Sequence, residues 1–249
     1  MIQIDDQDGI AIIRLDRGVT NAINLDLVNE LAEAVEHIRT DPRLRSLVLG
    51  STSEKFFSIG FDIPQLFDLP ENDLRAFFDA FNRVCLALFT LPKPTVAALT
   101  GHTIAGGCIL SLCCDYRFMA EGRIWMGLNE IKLGVPVPHL PDCILRSLVG
   151  VRKARDMMET GEFCGPDESL AIGLVDDVCP REKVSEKAVE RLRALGALPS
   201  LAFETIKRSR VEGIEKEVLE RWGQKDREFL ECWYCEEARI LLKEAMEKF

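Results

Sequence analysis

Residues 101–108 read Gly-His-Thr-Ile-Ala-Gly-Gly-Cys, and this glycine-containing loop joins a predicted strand, Thr95–Leu99, to a short apolar helix predicted over 108–114. Two adjacent glycines at such a junction let the backbone approach a ligand closely. They also leave unpaired N–H groups at the helix N-terminus, where the helix dipole favours negative charge. One interpretation is an arm of an oxyanion hole, a set of N–H groups that stabilises a developing oxygen anion. The other is a tight turn required only for packing, and the glycine pair alone favours the turn.

A second glycine turn lies upstream at residues 56–62, whose sequence is Phe-Phe-Ser-Ile-Gly-Phe-Asp. It comes after a strand predicted over 47–49 and a polar loop predicted over 51–58. Turns that follow parallel strands of one α/β domain lie at the same edge of the sheet, which is where ligands bind in such folds. Each turn alone is weak evidence for a ligand site, whereas the two together favour one.

Strands and helices alternate over the first half of the chain, which predicts an α/β fold with mostly parallel strands and right-handed crossovers. The predicted strands are Ile10–Leu15, 47–49, Thr95–Leu99 and 116–119. From about residue 141 the chain is mainly helical, with narrow apolar faces that we expect to pack on another surface or subunit. Helices are predicted over 181–198, 201–210, 214–230 and 236–248, and short strands over 161–164 and 174–178.

Glu130 is a candidate catalytic carboxylate because its neighbours in the sequence are mostly apolar. It lies in residues 126–136, Met-Gly-Leu-Asn-Glu-Ile-Lys-Leu-Gly-Val-Pro, where most neighbours are apolar. Burial among apolar groups raises the pKa of a carboxyl and makes it a usable base near neutral pH. The alternative is a solvated glutamate at a turn, which is where most glutamates lie. From the residues alone the second interpretation is favoured.

The composition is that of an ordinary globular chain, with 249 residues and a formal net charge of −10. An acidic surface repels polyanions, so we expect no nucleic-acid partner. Nine cysteines are spread along the chain and the three histidines lie far apart, so we expect no metal and a reducing, cytoplasmic location. Residues 1–8 lack a signal-peptide pattern, and no apolar run is long enough to cross a bilayer, so no membrane partner is expected.

Five short motifs, in this order, resemble those of the crotonase (enoyl-CoA hydratase/isomerase) superfamily. They are Phe-Ser-Ile-Gly-Phe-Asp at 57–62, Ala-Gly-Gly-Cys at 105–108, Cys-Asp-Tyr-Arg at 114–117, Gly-Leu-Asn-Glu at 127–130 and Gly-Leu-Val-Asp at 173–176. The resemblance implies a spiral core of repeated ββα units over residues 1–195 that holds the active site. It implies a helical trimerisation region over residues 196–249, and therefore a homotrimer or a hexamer made of two trimers. It also implies an acyl-CoA substrate and no cofactor beyond the coenzyme A of that substrate.

The same resemblance assigns roles to individual residues. The backbone N–H groups of Phe61 and Gly106 match the oxyanion hole that grips the thioester oxygen as it becomes an enolate, and Glu130 matches the catalytic base. Further residues are implied to bind substrate: Ser58, Ile59, Gly60, Asp62, Ile109 and Asn129. Four basic residues are candidates for the coenzyme A phosphates: Lys55, Lys93, Lys207 and Arg208.

Position 109 is where the sequence departs from the hydratases of this family, which carry a glutamate directly after the Gly-Gly-Cys segment and a second one after the next strand. Here these positions are Ile109 and Glu130. Hydration needs both carboxylates to handle water, whereas one base can carry a proton from C2 to C4 of a 3-enoyl thioester. An apolar Ile109 would exclude water. The resemblance therefore implies a Δ3,Δ2-enoyl-CoA isomerase.

Two alternatives remain open at this point. The first is another reaction of the superfamily, such as hydration, decarboxylation, dehalogenation or thioester hydrolysis, because fold alone does not choose among them. The second is a non-catalytic acyl-CoA binding protein. Four residues are expected to be structural: Asp62 as a pin for its loop, Cys108 as packing, Asp115 as a partner of backbone at a strand start, and His139.

Overall fold

The structure is a computed structural model that describes residues 1–247, and it contains two sheets. The larger sheet has the strand order β1-β2-β3-β5-β7-β9, and the smaller has the order β4-β6-β8. Only β1 and β2 pair antiparallel, while the other neighbours are parallel. The strands are β1 (Ile2–Gln7), β2 (Ile10–Leu15), β3 (Ser46–Ser51), β4 (Phe56–Ser58), β5 (Thr95–Leu99), β6 (His102–Ile104), β7 (Tyr116–Ala120), β8 (Met126–Gly127) and β9 (Asp177–Cys179).

The helices follow strand pairs along the chain, so the predicted ββα repeat is confirmed. The pairs β3–β4, β5–β6 and β7–β8 each place their first strand in the larger sheet and their second in the smaller one. The helices are α1 (Leu25–Thr40), α2 (Ile63–Leu66), α3 (Glu71–Phe89), α4 (Gly106–Leu112), α5 (His139–Thr160), α6 (Pro166–Ala171), α7 (Arg181–Gly196), α8 (Ser200–Trp233) and α9 (Glu236–Met246), with a 3₁₀ helix at Glu130–Leu133.

The core strands are buried on both faces, as expected for parallel strands covered by helices. Every residue of β5 is buried, and so are five of the six residues of β3. The strands predicted at Ile10–Leu15 and Thr95–Leu99 are confirmed at the same bounds. The smaller sheet was not predicted: residues 101–107 and 51–58 were interpreted as loops, yet they contain β6 and β4. Strands of three residues are too short to show an alternating pattern, and they form here because they pair with each other.

The second half of the chain differs from prediction in three places. The helices predicted over 201–210 and 214–230 form one helix, α8, because the packing of this helix on α3 and α5 outweighs the small helix penalty of Gly213. The strand predicted over 174–178 starts only at Asp177, since residues 174 and 175 donate their N–H groups to the Ser169 carbonyl. Residues 161–164 form no strand and contribute a single bridge between Cys164 and Met126. Residue 248 of the last predicted helix lies outside the described residues.

The C-terminal helices pack on the core of their own chain. The ring of Phe229 in α8 stacks on Phe78 in α3, with ring centroids 3.9 Å apart. The buried ammonium of Lys207 lies 2.7 Å from the Asp115 carboxylate at the start of β7. Between residues 1 and 247, no helix is both long and apolar enough to cross a membrane.

Candidate active site

Two turns meet at the end of the smaller sheet, one after β4 and one after β6. Gly60 in the first turn has φ +101°, and a Cβ there would lie 2.8 Å from the Cβ of Ala105 and 3.0 Å from the Gly106 nitrogen. Ala105 itself has φ 47°, which is unusual for a residue with a side chain. Its N–H donates to the Gly127 carbonyl at 2.9 Å. The two turns are therefore held in contact, with strained backbone of the kind that clusters at functional sites.

The N–H groups of Phe61 and Gly106 are both free to bind a ligand. Within residues 1–247 neither donates to a protein acceptor. The segment around Phe61 is fixed by bonds on either side, from Ile23 N–H to the Gly60 carbonyl at 2.7 Å and from Asp62 N–H to the Ile23 carbonyl at 2.9 Å. Gly106 is the first residue of α4, where N–H groups have no helical partner. Both residues line one cavity, which can therefore offer two donors to an oxygen anion.

This cavity, of about 530 Å³, is the candidate active site. Its wall is mainly apolar and aromatic, which is typical of ligand sites. The lining residues come from β4, β6 and the turns that follow them, from α2 and α4, from the 3₁₀ helix and nearby loops, and from α8 and α9. They are Phe56, Ile59, Phe61, Ile63, His102, Ile104, Ala105, Gly106, Ile109, Trp125, Asn129, Glu130, Lys132, Leu133, Val135, Pro138, Phe163, Phe229, Trp233, Leu241, Glu244 and Ala245.

Glu130 begins the 3₁₀ helix and presents a buried carboxyl group to this cavity. The residue is 6% exposed, and its Oε2 atom has no hydrogen-bond partner within residues 1–247. Burial raises the pKa of Glu130 to about 7. The solvated-turn interpretation of this residue is therefore wrong. A carboxyl with this pKa can take up a proton and return it near neutral pH, so the cavity combines a proton carrier with an anion-binding site.

Three further predicted residues line the cavity. Ile109 in α4 is buried and apolar, so the position of the hydratase-type glutamate carries no charge. Asn129 lies next to Glu130, and its Oδ1 atom has no partner among the described residues. Ile59 belongs to the first turn and is half-buried. These positions allow direct contact between each side chain and a ligand.

Ser58, Gly60 and Asp62 lie behind the cavity rather than on its wall. The Ser58 hydroxyl donates to the Asn21 carbonyl at 2.8 Å and accepts from Gly60 N–H at 3.1 Å. Asp62 accepts from the N–H of Gln65 at 3.2 Å and pairs with Arg17 at 2.6 Å. The expectation that Asp62 pins its loop is confirmed. All three residues support the turn that carries the N–H of Phe61.

Two of the four candidate phosphate ligands already bind groups of the protein. The Lys93 ammonium donates to the carbonyls of Ile38 and Asp41, and the Lys207 ammonium is buried against Asp115 and the Lys93 carbonyl. Because Lys207 is 2% exposed, its charge is not available to a ligand and its candidacy is wrong. Lys93 is half-buried, and its role stays a prediction. Lys55 and Arg208 are exposed, and their role stays a prediction.

The structural roles expected for Asp115 and Cys108 are confirmed. One carboxylate oxygen of Asp115 accepts from the N–H of Thr95 at 2.9 Å, which ties the start of β7 to the start of β5. Cys108 is fully buried, and burial raises the pKa of its thiol well above the ordinary value. A thiol that stays protonated is a poor nucleophile.

Sequence reasoning missed the far wall of the cavity, which is formed by α8 and α9. Phe229 and Trp233 come from α8, and Leu241 and Ala245 from α9. Each pair has the spacing of four residues that places side chains on one helix face. This four-residue spacing is visible in the sequence. Nothing in the local sequence, however, shows that these helix faces pack against the core of the same chain. Lys132, which pairs with Glu162 at 2.7 Å, is a further lining residue that was missed.

One group of metal-type side chains occurs within residues 1–247: His139, Asp142 and Cys143. It lies outside the candidate active site. The Arg146 guanidinium already contacts this group, at 3.0 Å from Asp142 and 3.3 Å from the Cys143 sulfur. The Arg146 side chain thus already supplies a positive charge to this group, in which His139 is 9% exposed. The expectation of no metal stays a prediction.

The fold and the paired turns define a crotonase-type α/β protein, and comparison with known proteins agrees. The crystal structure of human mitochondrial Δ3,Δ2-enoyl-CoA isomerase matches with a TM-score of 0.95 and 25% identity, over 99% of this chain and 97% of that chain. A family model described as enoyl-CoA hydratase/isomerase matches residues 5–248. The chain belongs to this family, as its motifs predicted.

Relatives in the family include both isomerases and hydratases. Mitochondrial enoyl-CoA delta isomerase 1 of Mus musculus is 29% identical over 200 residues, which are 80% of this chain and 69% of that protein. The crotonyl-CoA hydratase of Syntrophomonas wolfei is 27% identical over 218 residues, covering 87% of this chain and 84% of that protein. An enoyl-CoA hydratase structure from Geobacillus kaustophilus matches with a TM-score of 0.80 and 32% identity, over 99% of this chain and 94% of that chain.

Proposed function

We propose that this protein is a Δ3,Δ2-enoyl-CoA isomerase, which moves the double bond of an unsaturated acyl-CoA with Glu130 as its single proton carrier. The observation that carries the proposal is the composition of one cavity. It is lined by a buried carboxyl with a pKa of about 7, by two N–H groups that have no acceptor within residues 1–247, and by an isoleucine at position 109. These are the parts that enolate chemistry without water requires.

The reaction follows from these parts. The thioester oxygen of a 3-enoyl-CoA accepts hydrogen bonds from the N–H groups of Phe61 and Gly106. The ionised Glu130 removes a proton from C2, and the electron pair of that C–H bond moves into a dienolate whose negative charge rests on the oxygen. The neutral Glu130 then donates the same proton to C4. The double bond ends between C2 and C3, and the carboxylate is restored.

The apolar wall supports isomerisation over addition of water. Ile109 is 1% exposed and offers no group that could hold or deprotonate a water molecule. The aromatic rings of Phe229 and Trp233 close the cavity from α8. A dienolate in such surroundings meets few water molecules, and its electrostatic contacts with the N–H groups are strengthened.

Hydration of a 2-enoyl-CoA is the second candidate function. One observation favours it: Glu244 in α9 also lines the cavity. This residue is exposed, unlike Glu130. In a hydratase it would supply the second carboxylate that position 109 lacks. The hydratases among the relatives add to this alternative.

A comparison of two substrates tests the proposal against this alternative. Purified protein is mixed with a medium-chain 3-enoyl-CoA, and formation of the conjugated 2-enoyl thioester is followed by ultraviolet absorbance. Loss of that absorbance from a 2-enoyl-CoA reports hydration. We expect rapid conjugation, little hydration and no effect of Glu244→Gln on conjugation. Rapid hydration that Glu244→Gln removes would overturn the isomerase proposal in favour of the hydratase.

We also propose a homotrimer, alone or paired into a hexamer. Three apolar side chains of α8 are exposed on the single chain, namely Leu201 at 75%, Ile206 at 69% and Leu219 at 54%. Burying such groups between subunits is favourable. Sedimentation equilibrium measures the assembly, and a stable monomer at micromolar concentration would contradict it. A cytoplasmic location, and the absence of nucleic-acid and membrane partners, stay predictions.

A further inference from the structure

We propose that Cys232 and Cys235 form a reversible dithiol–disulfide pair at the corner between α8 and α9, and that this pair reacts with low-molecular-weight disulfides. The inference does not depend on the proposed function. Seven of the nine cysteines are buried: Cys85, Cys108, Cys113, Cys114, Cys143, Cys164 and Cys179. Cys232 is half-buried and Cys235 is exposed, so the two accessible thiols are also neighbours in sequence.

The backbone brings the two cysteines within reach of each other. The Cys235 N–H donates to the Cys232 carbonyl at 3.1 Å, which closes a tight turn. Tyr234 is helical (φ −93°, ψ −1°) and Cys235 is extended (φ −69°, ψ 152°), so the chain changes direction between the two thiols. The end residues of such turns have Cα atoms less than about 7 Å apart. Disulfides span Cα separations of roughly 4.4–6.8 Å.

The environments of the two sulfur atoms differ in a way that suits thiol–disulfide exchange. The Cys235 sulfur caps α9, accepting from the N–H of Ala238 at 3.4 Å. The Cys232 sulfur is more enclosed, and burial raises the pKa of its thiol. Because Cys235 is the more exposed of the two, it is the attacking residue, and Cys232 resolves the intermediate.

The reaction balances with a disulfide such as oxidised glutathione as the oxidant. The Cys235 thiolate attacks one glutathione sulfur, so that a mixed disulfide forms and one reduced glutathione leaves. The Cys232 thiolate then attacks the Cys235 sulfur, so that the protein disulfide forms and the second reduced glutathione leaves. Two electrons pass from the protein to the oxidant. Two protons leave the protein thiols, and the departing glutathione thiolates take them up.

This corner forms part of the cavity wall, so its redox state affects the candidate active site. Trp233 lies between the two cysteines, is 1% exposed and lines the cavity. The Tyr234 hydroxyl donates to the Leu69 carbonyl at 2.7 Å, and Arg239 donates to the Phe67 carbonyl at 2.6 Å. Closing a disulfide across residues 232 and 235 constrains the backbone of Trp233 on both sides.

Thiol mapping in glutathione buffers tests the proposal on the full chain. Native protein is equilibrated at increasing ratios of oxidised to reduced glutathione, alkylated, digested with trypsin and analysed by mass spectrometry. The tryptic peptide 228–239 contains both cysteines of the pair and no other cysteine. We expect this peptide to lose both alkylation sites and two hydrogen atoms, reversibly, while the seven buried thiols stay reduced. Trp233 emission changes in parallel, a signal that Trp233→Phe removes.

Two serine variants isolate the steps. Cys235→Ser keeps an N-cap residue for α9, and we expect it to form neither the disulfide nor a glutathione adduct on this peptide. Cys232→Ser is expected to stop at the mixed disulfide on Cys235. A wild-type peptide that stops at the mixed disulfide, one that stays reduced, or oxidation of another cysteine first would each overturn the proposal.

Discussion

Gly60 and Ala105 are in contact across the two turns, because a Cβ on Gly60 would lie 2.8 Å from the Cβ of Ala105. The turns carry the N–H groups of Phe61 and Gly106. The absence of a side chain at position 60 therefore determines how close these two N–H donors lie to each other. A further close approach supports it, since a Cβ on Gly107 would lie 2.5 Å from the Ser58 carbonyl oxygen.

Replacing Gly60 tests this relationship. Gly60→Ala adds a clash to a strained backbone, so we expect the turns to separate and turnover to fall about 10²-fold. The matched control is Gly122→Ala, because Gly122 has the same φ of +101° but open space where its Cβ would be. Both variants pay backbone strain of about 1–3 kcal/mol in thermal unfolding. Equal turnover in the two variants would show that contact between the turns does not matter.

Glu130 links the stability of the protein to pH. Its pKa is about 7 in the folded protein against an ordinary 4.5, so the folded state holds this proton more tightly than the unfolded state does. The free energy of unfolding therefore falls as pH rises from about 4.5 to about 7. Glu130→Gln removes this loss, and we expect the variant to gain about 3 kcal/mol above pH 7 and little at pH 4. Urea unfolding at both pH values measures the difference, and equal differences at pH 4 and pH 8 would contradict the burial of Glu130.

We expect position 109 to determine whether the cavity supports hydration. Ile109→Glu places a second carboxyl on the cavity wall, so we expect it to hydrate a 2-enoyl-CoA faster than the wild type does. Stability falls, because a charge is buried. The control is Ile109→Gln, which has similar size but no acid or base. Hydration by the glutamine variant at the same rate would show that space, and not a second carboxylate, limits the reaction.

Lys207 is a structural residue rather than a phosphate ligand. Lys207→Met leaves the buried carboxylate of Asp115 with Arg210 as its remaining cationic partner, and we expect a loss of about 3 kcal/mol in the free energy of unfolding. The KM for acyl-CoA stays unchanged. Arg208→Met is the control, since Arg208 is exposed on the same helix and its loss should leave stability unchanged. A raised KM with unchanged stability for Lys207→Met would restore the phosphate role.

The sequence predicts those strands and motifs that are determined by local patterns of residues. The apolar runs at Ile10–Leu15 and Thr95–Leu99 and the motifs around Gly106 and Glu130 were sufficient for the central strands and the family. The smaller sheet was missed because its strands are stabilised only by pairing over long sequence distances. The far wall of the cavity was missed for the same reason, since Trp233 reaches it through the tertiary packing of α8. Whether Glu130 is solvated or buried likewise depends on the tertiary structure, and local sequence does not show it.

The role of Glu130 as proton carrier is measured by the rates at which wild type and Glu130→Gln convert a 3-enoyl-CoA into the conjugated 2-enoyl thioester. Binding of a saturated acyl-CoA is measured in parallel by calorimetry. We expect the glutamine variant to bind nearly as well as the wild type but to convert substrate roughly 10²–10⁴-fold more slowly, because its amide cannot carry the proton. A Glu130→Gln variant that converts substrate at the wild-type rate would rule out Glu130 as the proton carrier.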